Sequence, residues 1–549
     1  MAYTAHVDTF VRDGLPPPHE LPEFLFELPE LRYPPRLNSA VELLDKTVAA
    51  GHGERPFLRA LIDGTRYSCS YRQLLYRANQ VARVLVEDLK LVPGNRVLLR
   101  APNNPMMAAC WFAVIKAGCV AVATMPLLRA RELSQIIDKA RVGVALCDVR
   151  LKDDLEAAAR ASPALKRVLY FNDGGPGSLE ALLAGKPGEF ANVDTALEDP
   201  ALIAFTSGTT GQPKGCIHFH RDVLAMTDCF PRFCLKPTRD DIFSGTPPLA
   251  FTFGLGGLLC FPARFGASTV LSERLTPDLL LETVQDFRAT ITFSAPTFYR
   301  QMAGLAKNYD LSSLEKCVSA GEALPDATRQ LFKQATGIEI IDGIGSTEMI
   351  HDFISHTPER VRRGATGYAI PGYRATVLDD EGRPCPPGVV GRLALKGPTG
   401  CKYLADERQR TYVQNGWNIT GDAYVMDADG YFFYQARTDD MIISAGYNIA
   451  GPEVESALLM HEAVAECGVV GAPDAERGTI VKAYVVLKPG FTGDATLAKA
   501  LQDHVKATIA PYKYPRSVAF RDSLPRTETG KLQRFRLRQE AAADAGLRP

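Results

Sequence analysis

The sequence lacks the features that would assign it to a simple functional class. Its 549 residues carry 62 Lys and Arg against 63 Asp and Glu, a formal net charge of -1, so no broad field of one sign is present to attract nucleic acid or an anionic membrane. No apolar run is long enough to span a bilayer. The greasiest region, residues 106–128, is interrupted by Lys116 and Gly118 and reads as a buried helix followed by a strand. The 12 cysteines form no C-x-x-C pair and have no histidines at zinc-finger spacing. This argues against a disulfide scaffold or a structural zinc site and fits reduced thiols in a cytoplasmic enzyme. The opening MAYTAHVDTFVRDGLPPP holds acidic residues and no apolar core, unlike a secretory signal or transit peptide. No period of roughly 20 to 50 residues recurs, which excludes a solenoid.

What is present is an alternation of periods. The length predicts roughly three to four units of ordinary domain size. Residues 1–39 are rich in proline (LPPP, LPE, LPE, YPP), which predicts an extended arm lying on a core. From Ala40 onward, helical spacing in AVELLDKTVAA and YRQLLYRANQVARVLVEDL alternates with the short apolar runs RVLLRA and VALCD. That pattern predicts an α/β fold with parallel sheets. Further on, IHFHRDVLAMTDCF predicts a helix, STVLSE and ATITFSAP predict strands, and DATRQLFKQATG predicts a helix stopped by its glycine. Beyond the polar run ARTDD a compact β and α alternation follows through AECGVVGAP, VKAYVVLKPG and RSVAFRDSLP. The expected division is a large N-terminal domain over 1–438 and a small α+β domain over 439–549.

Five motifs carry chemistry. In TSGTTGQPKG, after the apolar ALIAF, Gly208, Gly211 and Gly215 permit positive φ and close backbone approach, Thr206, Ser207, Thr209 and Thr210 supply hydroxyls, and Lys214 supplies a mobile cation. The mixture suits a phosphate cradle, with a polar surface turn as the alternative. It is not the P-loop pattern, which requires glycine where Pro213 stands and Ser or Thr where Gly215 stands. DGIGSTEM sets the Thr347 hydroxyl beside the Glu348 carboxylate, a pairing suited to a phosphate and Mg²⁺, or else an ordinary turn. NITGD ends in Asp422, either a ribose ligand or an Asp in a turn. Arg437 with Asp439 and Asp440 forms the fourth motif, or a solvated linker. PRTETGKLQR carries Lys531 in a Thr/Gly context, with a plain surface lysine as the alternative.

In this order and spacing, the five motifs resemble the acyl-adenylate-forming superfamily over about residues 30 to 540. That superfamily includes acyl-CoA and aryl-CoA synthetases, adenylation domains of peptide synthetases and luciferases. The resemblance implies that Thr206 to Lys214 hold the ATP β- and γ-phosphates, Thr347 meets the α-phosphate, Glu348 binds Mg²⁺, and Asp422 and Arg437 hold the ribose. Gly321 and Glu322 of SAGEAL, with Asp342 and Gly343, would line the adenine pocket, while Ala320, Ile344 and Gly345 would border the acid. Lys531 matches the adenylation lysine, Asp439 the hinge of a mobile C-terminal domain, and Gly446 with Tyr447 the pantetheine tunnel. A carboxylate attacking the α-phosphate brings two negative groups together, so positioning and positive potential must do most of the work. The mixed anhydride then passes its acyl group to the thiol of CoA, with rotation about Asp439 exchanging the two faces of the small domain. Because Lys531 acts as a charge, a protein acetyltransferase would switch it off.

The choice of acid is expected in PLAFTFGLGG, Pro248 to Gly257, and after Glu348. Phe251 and Phe253 offer flat walls in a turn setting beside Thr252, while Gly254, Gly256 and Gly257 remove bulk, which suits a compact aromatic acid. DGIGSTEMIHDFIS, including His351, and GYAIPGY are similar to benzoate-type CoA ligases, and TAHVDTFVRDGLPPP is similar to the 2-aminobenzoate-CoA ligase group. The resemblance therefore implies 2-aminobenzoate or benzoate. Asp352 departs from it, because an apolar residue is expected after His351. Asp352 is expected to be exposed or structural, or, if it faces the acid, to accept a hydrogen bond from an ortho amino group. Cys216 stands where an aliphatic residue is usual, and no histidine accompanies Phe251. The expected partners are a small aromatic acid, ATP, Mg²⁺ and coenzyme A, with no nucleic acid or membrane, in a monomer or homodimer. Arg477, Lys482, Lys513 and Arg516 are candidates for the CoA phosphates. Two other readings remain: a stand-alone adenylation enzyme loading a carrier protein, and a non-catalytic nucleotide-binding scaffold. No carrier domain precedes the end at Pro549, and Lys531, Glu348 and Asp422 occur together, which favours the ligase.

Overall fold

The computed structural model describes residues 3–544 apart from 63, 207–212, 275, 438–439, 445–446, 475–477, 510 and 527–530. Short apolar runs become buried parallel strands, as the alternation predicts. Val97–Leu99 and Val144–Cys147 pair in register beside Val120–Val122, in a sheet of six described strands whose last strand, Lys214–Phe219, runs antiparallel to Pro200–Thr206. Strands buried on both faces require helices as cover. One of them, Pro105–Lys116, starts where Asn104 Oδ1 accepts from the Met107 amide at 2.9 Å. This confirms the helix followed by a strand expected over 106–128.

A second, larger sheet holds the site. Its strands Ile242–Gly245, Ile291–Ser294, Lys316–Ser319 and Ile340–Gly345 are mutually parallel. From Ile340–Gly345 onward the pairing turns antiparallel, through Asp352–Ser355, Gly367–Ala369, Tyr431–Arg437 and Trp417–Met426. The carboxyl ends of parallel strands, where a sheet changes direction, are where open α/β sheets leave a crevice.

A smaller unit follows. Val464–Asp474, Gly478–Leu487 and Ser517–Arg521 form its sheet, and helices Gly451–Leu459 and Ala495–Thr508 bury Val454, Leu458, Leu501 and Val505 in a separate core. The fold is thus a large α/β N-terminal domain with a smaller α+β C-terminal one. The expected boundary residue Asp439 lies outside the described residues.

The proline-rich arm lies on the large domain. Ala5 donates its amide to Asp199 Oδ2 at 2.9 Å, Val7 to the Pro93 carbonyl at 3.0 Å and Leu25 to the Gly397 carbonyl at 2.9 Å. One expectation needs correction. In IHFHRDVLAMTDCF the helix covers only His220–Asp228, and Ile217–Phe219 belong to the preceding strand. Edge pairing with Pro200–Thr206 outweighs their helical spacing. No described helix is long and apolar enough to cross a membrane.

Candidate active site

Thr206 closes its strand and pairs across to Lys214, which opens the next. Ser207, Gly208, Thr209, Thr210 and Gly211 lie between them, outside the described residues. Lys214 Nζ donates to the Tyr403 hydroxyl at 2.7 Å and stands 3.4 Å from Glu348 Oε1, and the Tyr403 hydroxyl in turn donates to Glu348 Oε1. Burial, reinforced by the Glu348 charge, pushes the Tyr403 phenol far up, so it stays a donor. Sequence reading missed Tyr403. Its only local signal is a tyrosine within CKYL, which no spacing rule connects to Glu348.

Thr347 and Glu348 sit in a turn after Ile340–Gly345. Ile350 in that turn has φ of 66°, the left-handed region that a β-branched residue rarely enters, at a cost of roughly 1–3 kcal/mol. The surroundings enforce it. Met349 donates its amide to Ser346 Oγ at 3.2 Å, and the Met349 carbonyl accepts from Thr399 Oγ1 at 2.9 Å. The Thr347 carbonyl accepts from His218 Nε2 at 2.8 Å. Burial lowers the pKa of His218 against the pull of Asp222, and its Nε2 carries the proton given to that carbonyl. Behind it lie the fully buried Asp222 and Lys402, joined at 2.8 Å, with Lys402 also donating to the Gly400 carbonyl at 2.9 Å. Burial opposes the Asp222 charge, yet Lys402 and His218 hold its carboxyl below the usual range. This buried train steadies the turn from behind and was not foreseen.

Asp422 is not in a turn as one reading had it. It lies within Trp417–Met426, directly across from Arg437. Arg437 Nη1 donates to Asp422 Oδ1 at 3.1 Å and to the Thr420 carbonyl at 3.2 Å. Gly421 has φ of 77°, and a Cβ there would stand 2.9 Å from Arg437 Nη2, so glycine leaves room for the guanidinium. Burial raises the Asp422 pKa and Arg437 offsets part of that rise.

Lys531 crosses from the small domain to these groups. Its Cε lies 3.5 Å from the point a Cβ would occupy on Gly321, whose φ is 90°. One side of the lysine remains open to solvent while protein crowds the other. Desolvation lowers its pKa, countered by the charges of Glu322, Asp422 and Glu348. Glu322 accepts from Thr297 Oγ1 at 2.8 Å and stands 3.4 Å from Arg526 Nη1. Arg526 also holds Glu466, so one guanidinium meets a carboxylate from each domain. Arg526 was not anticipated.

Beyond the turn, PLAFTFGLGG forms the start of a helix rather than a turn. Thr252–Leu255 is helical, and a Cβ on Gly254 would stand 2.1 Å from the Pro248 carbonyl oxygen. Phe251 and Phe253 are half-buried. The Phe253 ring lies 5.6 Å from Phe293 and 5.6 Å from His351, which also lies 4.6 Å from Phe261 and 5.6 Å from Phe230. Burial among these rings lowers the His351 pKa to about 3. Asp352 pairs opposite Gly345 and is buried, which rules out the exposed alternative and leaves the structural and the acid-facing ones. Burial pushes its pKa up to about 8, and burial likewise raises that of Asp342. Ala320 and Ile344 lie at the adjacent strand ends, with Gly343 beside the Asp352 carboxyl.

Of the remaining candidates, Gly446 and Arg477 lie outside the described residues, and Tyr447 opens the short strand Tyr447–Ile449. Lys482 pairs with Asp544, and Lys513 with Glu453 at 2.6 Å. Among the described residues, no three His, Cys, Asp or Glu side chains gather into a metal cage.

The sequence profile of the AMP-binding enzymes matches residues 46–403, and that of the AMP-binding enzyme C-terminal domain matches 453–531. The benzoate–CoA ligase of Thauera aromatica is 35% identical over 93% of this chain and 97% of its own length. The 4-hydroxybenzoate–CoA/benzoate–CoA ligase of Rhodopseudomonas palustris is 33% identical over 91% of this chain and 94% of its own. Among solved structures, the anthranilate CoA ligase AuaEII in complex with anthranoyl-AMP superposes with a TM-score of 0.89 at 34% identity, covering 95% of this chain and 100% of that one. A benzoate CoA ligase from Burkholderia xenovorans LB400 superposes with a TM-score of 0.83 at 29% identity, covering 91% and 99%.

Proposed function

We propose that this chain, which belongs to the AMP-binding enzyme family and is an AMP-forming acid–CoA ligase, activates a compact aromatic acid, with 2-aminobenzoate or benzoate as substrate. The observation that carries the reading is the meeting of Lys531 with Gly321, Glu322, Asp422 and Glu348 at the carboxyl ends of the parallel strands.

Lys214 and the loop it closes hold the outer phosphates of ATP, and Thr347 offers its hydroxyl to the α-phosphate. Asp422 accepts from the ribose hydroxyls, kept in place by Arg437. Gly321, Glu322, Asp342 and Gly343 border the adenine. Phe251, Phe253, Gly254, Ala320, Ile344, Gly345 and His351 enclose the ring of the acid. Glu348 fits a Mg²⁺ site, because Mg²⁺ is bound through one or two carboxylates together with substrate phosphates and needs no protein cage. Mg²⁺ would supply positive charge to the phosphates.

Lys531 then places a cation between the acid's carboxylate and the α-phosphate, where two anions must approach. The protein that crowds one side of it strengthens its field toward the reacting groups, and the small domain lying over the site shields the mixed anhydride from water. For the second step the small domain turns about Asp439 and brings Gly446 and Tyr447 to the thiol. Domains 1–438 and 439–549 are the units of this motion, which proceeds in the cytoplasm.

The test is a panel of aromatic and aliphatic acids supplied with ATP and CoA, with AMP and the thioester quantified by mass. Thioesters of aromatic acids are expected to dominate. Turnover confined to aliphatic acids would overturn the aromatic reading.

A further inference from the structure

The floor of the acid pocket holds a polar group that the reaction does not use. Asp352 and His351 are each at most 3% exposed. Asp352 Oδ2 has no hydrogen-bond partner among the described residues, and neither does either ring nitrogen of His351. His351 Nδ1 stands 3.5 Å from Asp352 Oδ2 without the alignment of a hydrogen bond. A buried polar atom left unmatched is costly, so such a pair calls for an explanation, and a bound molecule that donates to it supplies one.

The backbone fixes where this group faces. Asp352 pairs antiparallel with Gly345, so their side-chain positions share one face of the sheet. A Cβ on Gly345 would stand 2.7 Å from Asp352 Oδ1, and one on Gly343 would stand 3.1 Å from its Cγ. The two glycines therefore make room for the carboxyl on the face of the sheet assigned to the substrate ring. Gly345 is two residues from Thr347, so the two lie at most about 7 Å apart. The carboxyl thus lies beside the end of the pocket where the acid's own carboxylate must react. Phe253, Phe261 and Phe230 surround His351 and make that side of the site apolar.

We infer that Asp352 is the specificity-determining residue of the acid site, accepting on Oδ2 a hydrogen bond from an amino group ortho to the substrate carboxylate. The inference rests on the aromatic-ligase reading above and narrows it. The ortho position follows from the short distance to Thr347, since a para substituent would lie at the phenylalanine end. Being uncharged near neutral pH, the carboxyl accepts this bond without setting a second anion beside the reacting carboxylate. An acid with no ortho donor would leave Oδ2 unmatched, and buried polar contacts of this kind discriminate strongly.

The experiment compares kcat/KM for 2-aminobenzoate, 2-methylbenzoate and benzoate in the wild type, Asp352→Asn and Asp352→Leu. Thioester is followed by mass, and folding is checked by thermal melt. The wild type is expected to prefer 2-aminobenzoate to 2-methylbenzoate at least tenfold, and Asp352→Leu to lose that preference. Asp352→Asn keeps an acceptor of the same shape and is expected to retain most of it. Aromatic thioesters formed with the same 2-amino to 2-methyl ratio in all three proteins would overturn the role of Asp352 and leave the aromatic-ligase reading standing. Absence of any aromatic thioester from the folded wild type would overturn both.

Discussion

Lys531 and Gly321 belong to different domains, yet the lysine Cε lies 3.5 Å from where a glycine Cβ would be. The small domain is therefore turned with its lysine toward the proposed nucleotide site, the arrangement that the proposed first half-reaction needs. Lys531→Ala is expected to lower acid-dependent pyrophosphate exchange by 100-fold or more, through loss of the one mobile cation assigned to the developing charge. Thioester formation from supplied aryl-adenylate should be largely kept. Equal loss of both activities would show that the lysine serves the whole cycle and not one face of it. Acetyl-lysine installed at 531 should reproduce the alanine result, because acetylation removes the charge.

Tyr403 ties Lys214 to Glu348. In Tyr403→Phe both hydroxyl bonds are lost, and the two charged groups proposed to meet ATP and its metal are no longer oriented. The expected result is a rise of about tenfold in the Mg²⁺ concentration needed for half-maximal nucleotide binding, read by fluorescent ATP-analogue titration. KM for the aromatic acid should change little. A shift in acid KM alone would place Tyr403 elsewhere in the mechanism.

Lys402 and Asp222 form a fully buried ion pair behind the Thr347 turn. Removing one member leaves an uncompensated charge, at a cost of about 3–5 kcal/mol. Lys402→Met is expected to lower the melting temperature by several degrees. Lys402→Met combined with Asp222→Leu should recover much of the loss, since the apolar pair needs no desolvation of charge. No recovery in the double variant would mean that the pair matters through His218 rather than through its charge balance.

Asp352 makes stability depend on pH in a definite direction. Burial raises its pKa from 3.8 to about 8, so the folded state keeps a proton that the unfolded state gives up. The associated stability is fully present below about pH 3.8 and is lost as pH rises through 8. Asp352→Asn has no such titration. Its melting temperature should match the wild type toward acid pH and exceed it by several degrees at pH 8.5. The facing titratable neighbours His351, Asp342 and Cys234 are common to both proteins, and after burial the Asp352 charge raises the pKa of Asp342 and of Cys234, so the difference curve reads Asp352 together with its coupling to those two. Parallel curves across the range would contradict a protonated carboxyl.

Sequence reading succeeded where local rules dominate. Short apolar runs such as RVLLR became parallel strands, and DATRQLFKQAT became a helix that ends at Gly337 with φ of 77°, because apolar period and a glycine stop act within a few residues. It misjudged Ile217–Phe219, where strand pairing prevailed, and PLAFTFGLGG, where close contact of Gly254 with Pro248 and of Gly257 with Phe293 lets a helix pack. Tyr403, His218, Asp222 and Lys402 escaped notice because each is ordinary in its own neighbourhood and gains meaning from partners far away in the chain.

By itself the sequence determined the α/β class, the order of the nucleotide motifs and hence the kind of reaction, since glycines, hydroxyls and a mobile lysine must be spelled out locally to meet phosphate. Tertiary structure alone decided which domain face Lys531 presents, how Glu348 and Thr347 are braced, and that Asp352 is buried opposite Gly345. Those are consequences of burial and of contacts between distant strands. Desolvation and cross-strand pairing depend on the folded arrangement, and no residue carries them in its own neighbourhood.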